Sequence, residues 1–535
     1  MKHNKLIGTL ILAASSLLLA ACGNSQASST NKTLNITIPG RAMTTDPDKT
    51  LDTNSDLIQN QLYEGLYAKS ATGKIIPGVA TKIVKPTNNG KTYTFTLRKD
   101  AKWSNGDTVT AQDFVLSLRR HLDPKTKSQN TDSLKSIKNY EGVYSGKMAT
   151  SKLGVKAISK YKLQIELSQR SSWFDYLLTE IYPLSTNAIA KYGSKYGTSS
   201  DKTVSNGAYK LADWNVSKDS WSYSKNKQYW DAKDTKISKI DARVVSDPNT
   251  AQNLFKSDEV QETQVSGQFV KEDAKLKSLH ITPQNRLNYL MFNAKNKTLN
   301  NPNLARAVSN ALDRSAITDK VLQDGSVAAQ SEIIKDQYQD PRTGKDYYGN
   351  HKLQTYDLAK AKKYWNTFKK ETGKSTLTME LLTDDTDSDK KAGQYIQGQL
   401  EKYLPGIKIS ITSIPHAQHV SRDFSGKFEM NLTGYSTEYP DPTDMMNLAT
   451  KGNTINFTQW TDNKYEALMA KANNLGKYTD KERANYIQQA DERLMAIQGT
   501  IPLYQPATAN LLSTKIGGIH YGMLNAVQYK YAYWK

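Results

Sequence analysis

Residues 377–411 read LTMELLTDDTDSDKKAGQYIQGQLEKYLPGIKISI, and this stretch decides the fold. Apolar residues alternate with polar ones over 377–381 and again over 407–411, which predicts two strands. Between them, apolar residues recur every four positions over 396–404, the spacing of one helix face. A strand, a helix and a strand in so short a span predict a right-handed crossover within a partly parallel sheet. The stretch therefore places the chain in the α/β class.

The same kinds of pattern predict further elements elsewhere in the chain. Alternation predicts strands at 34–38 and 92–97. A capping residue with an acid in the first turn predicts a helix over 110–122, and a proline suited to a first turn predicts another over 302–312. The 513 residues that follow Cys22 exceed one ordinary core, so we expect two or three lobes.

The N-terminus resembles an export signal that ends in a bacterial lipobox. Two lysines supply a basic start, residues 6–21 are almost entirely apolar or small, and the run stops at Cys22, the only cysteine. This pattern predicts a signal peptide over 1–21, lipid attachment at Cys22 and a flexible tether over 22–33. Two or three acyl chains would anchor the protein on the extracellular face of the cell membrane. The alternative is an ordinary cleaved signal in which Cys22 is incidental.

The composition argues against nucleic acid as a partner. The formal net charge is +20, but the lysines are spread along the chain and form no dense basic helix. Export also disfavours nucleic acid, so attraction to an anionic cell envelope or to acidic ligands explains the charge better. With a single cysteine, the chain forms no internal disulfide and depends on its core for stability.

Several short motifs occur in the order found in one protein family. The motifs are LYEGL at 62–66, YTFTLR at 93–98, WSNGD at 103–107, TAQDF at 110–114, SNGAY at 205–209, NKQYW at 226–230 and ALDR at 311–314. In these motifs and in their order, the chain resembles the large extracellular solute-binding proteins of oligopeptide, dipeptide and nickel ABC importers over essentially its whole mature length. The ordered succession is specific, whereas any single motif would be weak evidence.

The resemblance implies an α/β, multi-lobed clamp of the periplasmic-binding-protein type, with mixed sheets and an inserted extra lobe. Lobe I would be assembled from 34–53, 201–295 and 506–535, lobe II from the insertion 54–200, and lobe III from 296–505. A third implication is functional: a receptor that binds extracellular oligopeptides in an extended conformation and delivers them to ABC transporter permease subunits. We expect a monomer that needs no cofactor.

One stretch of lobe III resembles the part of the family that holds the amino end of a bound peptide. It reads GYSTEYPDP at 434–442, where the family often has Gly-Trp-x-x-Asp-Tyr. By position, the resemblance makes Glu438 the partner of the ligand's α-ammonium group, with Gly434, Tyr435 and Ser436 lining the bound strand. A carboxylate is needed there because an unpaired buried ammonium group is costly. This chain has Tyr435 where the family has tryptophan and Glu438 where it has aspartate, and these two differences leave the register of the peptide open. The alternative is that Glu438 is a solvated loop acid or caps a turn.

The resemblance places the opposite wall of the binding site directly after the first strand. Arg41, Ala42 and Met43 stand where family members present their backbone to the ligand. Arg41 is a candidate partner for a ligand carboxylate, or else a solvated surface arginine. Asn456 is a weaker candidate for closing the same pocket.

Enzymatic and metal-dependent interpretations find little support in the sequence. The chain contains neither Gly-x-Ser-x-Gly nor His-Glu-x-x-His. His416 and His419 have a spacing that suits a metal, but no clear third ligand is near them, which favours a surface turn without metal. Two other functions stay open: the same fold with a nickel chelate, haem or oligosaccharide as cargo, or a surface adhesin or sensor. Glu438 favours peptide over the other cargoes.

Overall fold

A computed structural model describes residues 32–50, 52–128, 131–453, 455–523 and 527–535. The predicted signal peptide, the predicted lipid-attachment residue Cys22 and the tether as far as residue 31 lie outside these ranges. Within the described ranges, no helix has both the length and the apolar composition needed to cross a bilayer.

Strands and helices are interspersed along the whole described chain. The strands are β1 Leu34–Ile38, β2 Tyr67–Lys69, β3 Ile75–Pro77, β4 Thr92–Thr96, β5 Val155–Ser159, β6 Lys162–Glu166, β7 Tyr209–Ala212, β8 Ser220–Lys225, β9 Lys239–Val244, β10 Glu262–Val265, β11 Leu279–Pro283, β12 Arg286–Phe292, β13 Val327–Ala328, β14 Gln339–Asp340, β15 Lys345–Asp346, β16 Leu377–Asp384, β17 Ile407–Ile414, β18 Met430–Ser436, β19 Ile501–Gln505, β20 Ala507–Leu512, β21 Ile516–Gly517 and β22 Tyr533–Trp534. The helices are α1 Thr53–Leu62, α2 Ala111–His121, α3 Tyr140–Tyr144, α4 Phe174–Leu177, α5 Thr186–Tyr192, α6 Pro248–Lys256, α7 Gln268–Glu272, α8 Pro302–Ala311, α9 Arg314–Ala316, α10 Leu358–Thr372, α11 Asp387–Tyr403, α12 His416–Ser425, α13 Pro442–Met446, α14 Asn463–Ala472 and α15 Asp480–Ile497.

The stretch that decides the fold forms the strand, helix and strand that the sequence predicts. β16 and β17 pair in parallel and in register along their whole length. α11 connects them, and its Ile396 and Leu400 are buried in the same apolar cluster as Leu381 of β16 and Ile409 of β17. The side chain of Thr386 caps α11 by accepting a hydrogen bond from the backbone N–H of Asp389. The α/β class and the parallel pairing are confirmed.

Two mixed sheets form the centres of lobes I and III. The seven-stranded sheet has the order β11-β20-β10-β1-β9-β8-β7, so its strands come from three separate parts of the chain. The six-stranded sheet has the order β13-β19-β12-β18-β16-β17. A three-stranded sheet, β4-β6-β5, belongs to the inserted lobe II. β1, β4, α2 and α8 confirm the other elements predicted from sequence patterns, within one residue at their ends.

The pairing of β12 bears on the predicted boundary between lobes I and III. Its residues fall within the range expected for lobe I, which ends at 295, but β12 pairs on one side with β18 and on the other with β19. Both neighbours lie in the range expected for lobe III, and each hydrogen-bonded ladder holds β12 in their sheet. From this sheet membership we infer a boundary between β11 and β12, with lobe III beginning at Arg286.

The three lobes pack as two bodies. Lobes I and II share one continuous apolar core, whereas lobe III has cores of its own. The chain crosses between the bodies twice, at Gln284 and Asn285 and again at Pro506. The two crossings are adjacent, because the backbone N–H of Gln284 donates to the carbonyl of Pro506 at 2.8 Å. Two short connections side by side form a hinge.

Candidate functional site

A cavity of about 540 Å³ lies between the two bodies, next to the hinge. We call it the cleft cavity. Its walls come from α1, α2 and the segment after α4 on the side of lobes I and II, and from the end of β18 on the side of lobe III. The residues that line it include Asp48, Thr53, Asp56, His121, Glu180, Gln284, Tyr435, Ser436 and Glu438.

The end of β18 presents backbone to this cavity. The N–H of Thr437 donates to the carbonyl of Asn285 at 2.7 Å, directly beyond the ladder between β18 and β12. In an antiparallel pair the backbone groups of successive residues point to opposite edges. The groups of Gly434 and Ser436 therefore point away from β12. On that edge β16 pairs with β18 only as far as Asn431, among the residues that the structure describes.

Glu438 follows β18 and brings a carboxylate to the same cavity. Its side chain is half-buried, and its Oε2 atom has no hydrogen-bond partner among the described residues. The pKa of Glu438 is raised to about 7, mainly by burial and also by the nearby charge of Asp132, although Lys135 acts in the opposite direction. The ionised form is therefore disfavoured until a cation reaches it.

Buried polar contacts fix the loop that carries Glu438. The backbone N–H of Glu438 donates to Asp444 Oδ2 at 2.5 Å, and the hydroxyl of Tyr435 donates to Asp444 Oδ1 at 3.3 Å. Behind the loop, Asp441 forms a buried ion pair with Arg483, with the closest atoms 2.5 Å apart. These contacts hold the end of β18 and Glu438 in one rigid unit.

Acids dominate the charges on the wall of the cleft cavity. His121 is the only basic residue among those that line it, and it contacts the carboxylate of Asp48 at 3.3 Å. The pKa of Asp56 is raised to about 7, mainly by burial and also by the charges of Glu180 and Asp52. In a chain of net charge +20, this cavity nevertheless attracts cationic groups.

The structure does not bring all the predicted site residues together. Tyr435, Ser436 and Glu438 line the cleft cavity. The other five predicted residues do not line it. Gly434 precedes Tyr435 in β18, and a Cβ atom added to it would lie 2.6 Å from the guanidinium of Arg286. The remaining four are Arg41, Ala42, Met43 and Asn456.

Each of these four residues has another environment. Arg41 is exposed and forms two hydrogen bonds, of 2.6 and 2.9 Å, with the carboxylate of Asp219. Ala42 is buried, and Met43 is 65% exposed. Asn456 is buried in its own loop, where its amide donates to the carbonyls of Thr450 and Trp460.

The two histidines do not lie in a surface turn. His416 and His419 belong to the first turn of α12, and both contact the carboxylate of Asp384, at 2.8 and 2.6 Å. His419 is buried and also contacts Asn431. Among the described residues, no group of three or more His, Cys, Asp and Glu side chains is arranged to hold a metal ion.

The far side of the cleft is closed by direct contacts between lobes II and III. Arg170 donates to the carbonyls of Leu475 and Tyr478 and to the carboxylate of Asp480, at 2.5, 2.8 and 2.9 Å. The rings of Trp173 and Tyr439 stack with their centroids 4.5 Å apart. We call these contacts the latch. The structure is therefore a closed clamp.

Comparisons with known proteins agree with this architecture. The profile of the family described as "Bacterial extracellular solute-binding proteins, family 5 Middle" matches residues 74–457. The dipeptide-binding protein of Lactococcus lactis subsp. cremoris is 29% identical over 540 residues, which cover 97% of each chain.

Solved structures are similar over almost the whole length. The pheromone receptor PrgZ is 33% identical, with a TM-score of 0.80 over 94% of this chain and 100% of that one. Listeria monocytogenes OppA bound to peptide is 30% identical, with a TM-score of 0.78 over 95% of this chain and 100% of that one. The chain belongs to family 5 of the bacterial extracellular solute-binding proteins, and the clamp fold implied by its motifs is confirmed.

Proposed function

We propose that this protein is a monomeric receptor that captures extracellular peptides in an extended conformation and delivers them to an ABC importer. The observation that carries the proposal is the combination of an open strand edge at Gly434 and Ser436 with the carboxylate of Glu438 at its end. Backbone groups on such an edge form hydrogen bonds with the backbone of an extended peptide, whatever its side chains are. Glu438 then pairs with the α-ammonium group and sets the direction of the peptide.

The relatives support peptide as the cargo. One is named as a dipeptide-binding protein, one as a pheromone receptor, and one was solved bound to peptide. The closed clamp gives a physical reason for retention, since a ligand in the cleft cavity touches both bodies and stabilises closure.

The location of the receptor is part of the proposal. Lipid attachment at Cys22 would hold the mature chain on the extracellular face of the membrane, beside its permease. The tether over 22–33 would give the clamp room to move. Acyl chains provide enough apolar burial for stable anchoring when two or more are present.

Native mass spectrometry of the protein purified from its own cells tests the cargo. We expect bound peptides that are released on denaturation, together with calorimetric binding of the same synthetic peptides. A nickel chelate, haem or oligosaccharide in their place, with no peptide binding, would refute the proposal. Loss of peptide uptake in a strain that lacks the protein would separate an import receptor from an adhesin or sensor.

A further inference from the structure

A second cavity, of about 300 Å³, adjoins the cleft cavity. Thr53 and Gln284 line both cavities, so the two are neighbours on either side of these residues. The second cavity holds roughly ten times the volume of about 30 Å³ that one water molecule occupies in the liquid. This is enough room for a long side chain of a ligand in the cleft.

One face of the seven-stranded sheet forms the floor of this second cavity. Glu262 stands opposite Ile36 of β1, and Gln264 stands opposite Asn510 of β20. Because side chains of directly paired residues point to the same face, Glu262, Gln264 and Asn510 share one face of the sheet. All three line the cavity, and Tyr529 covers the same face. We call this cavity the Glu262 pocket.

Glu262 is a buried carboxylate without a cation. It is 4% exposed, and its partners are the hydroxyls of Tyr529 and Tyr521, at 2.5 and 3.4 Å. None of the residues that line the pocket is lysine, arginine or histidine. A buried carboxylate without a counter-ion is costly, and two hydroxyl donors leave it with spare acceptor capacity.

A histidine close to Tyr521 does not supply the missing charge. The ring of His280 lies 5.4 Å from that of Tyr521, and burial lowers the pKa of His280. Burial also raises the pKa of Glu262 to about 7, while Tyr529 lowers it. The pocket therefore offers one acidic group surrounded by neutral hydrogen-bonding side chains.

We propose that the Glu262 pocket receives a basic side chain, lysine or arginine, of the bound peptide and pairs its cation with Glu262. The inference rests on the proposed peptide-receptor function and names the class of peptide that the site prefers. The long apolar stem of lysine or arginine reaches past Thr53 and Gln284, and the charged end meets Glu262. Gln264 and Asn510 supply additional acceptors for the remaining N–H groups.

Two matched series of peptides test the pairing on the full chain. Each series consists of alanine pentapeptides with one substituted position, either lysine or norleucine, moved through all five positions. We expect at least one lysine peptide to bind about tenfold or more tightly than its norleucine match, as for a buried hydrogen-bonded charge. Glu262→Gln should reduce that ratio to near one.

A control variant distinguishes the specific effect of Glu262 on peptide preference from the general effect of neutralising a buried glutamate. Glu332 is also a buried glutamate, 1% exposed, and it lies in lobe III outside both cavities. Glu332→Gln should keep the lysine preference. Gln264→Lys places a cation beside Glu262 and should abolish the preference, which keeps the test decisive if Glu262→Gln does not fold.

The outcomes distinguish the two proposals. Lysine and norleucine peptides of equal affinity, or an unchanged ratio in both pocket variants, would overturn the assignment of Glu262 and leave the peptide receptor intact. If no peptide of either series binds, the proposed function itself is wrong, and the assignment of Glu262 is overturned with it.

Discussion

The role of Glu438 can be tested by removing one charge on each side of the contact. The folded protein raises the pKa of this carboxyl from 4.5 to about 7. One pKa unit corresponds to about 1.4 kcal/mol, so the environment disfavours the ionised form by about 3 kcal/mol. An ammonium group that pairs with Glu438 relieves this cost. We therefore expect a coupling energy of about 2–3 kcal/mol between the carboxylate and the peptide's α-ammonium group.

Isothermal titration calorimetry on four combinations measures this coupling. The protein is used as wild type and as Glu438→Gln, and one peptide is used with a free and with an acetylated amino end. Wild-type protein should lose about 30-fold or more in affinity when the peptide is acetylated. Glu438→Gln should bind both forms of the peptide with similar affinity, because glutamine carries no negative charge to pair with the ammonium group.

A surface glutamate of the same lobe provides the control. Glu492 is exposed on α15, bonds only with Gln488 among the described residues, and lies outside both cavities. Glu492→Gln should keep the full discrimination against the acetylated peptide. A coupling near zero, with each single change harmless, would refute the ammonium assignment and reopen the question of the cargo.

Three further predictions concern pH, attachment and closure. Affinity for free-amine peptides should fall by up to about tenfold per pH unit below about pH 7, because protonation of Glu438 removes the negative charge that pairs with the ammonium group. An affinity that stays constant from pH 8 to 5.5 in calorimetry would contradict this. Cys22→Ser should release a folded protein from membranes, and retention after a high-salt wash would exclude the lipid anchor. Arg170→Ala should weaken the latch by about 1–2 kcal/mol, so that peptide dissociates about 5- to 30-fold faster in stopped-flow fluorescence. Small-angle scattering should show a larger radius of gyration for this variant. Unchanged dissociation rates would show that the latch does not limit opening.

Local sequence patterns were sufficient for the elements and for part of the site. The alternation and four-residue spacing over 377–411 depend on near neighbours, so they predict β16, α11 and β17 directly. The motif around Glu438 was found because its residues are consecutive. The sequence does not predict the pairing of β12, because membership of a sheet depends on long-range partners, here β18 and β19, which no local pattern reveals.

The second wall of the site was missed for a similar reason. Asp56 and Glu180 are far apart in the chain and meet only when α1 packs near the end of α4. Glu262 is 4% exposed in the folded chain, but no residue near it in the sequence indicates that it is buried without a cation. Arg41 was a candidate partner for a ligand carboxylate, but its guanidinium donates to Asp219, which lies 178 residues away in the chain.

The position of β20 determines the order in which the protein can finish folding. β20 lies between β10 and β11, and in the described part of the chain β11 has no other strand partner. Synthesis and export deliver the N-terminus first, so β20 arrives only after all of lobe III. Lobe III can close its sheet once β19 is available, whereas lobe I waits with two unpaired edges. Such edges invite pairing with other chains, so the late arrival of β20 ends a period in which lobe I is prone to aggregation.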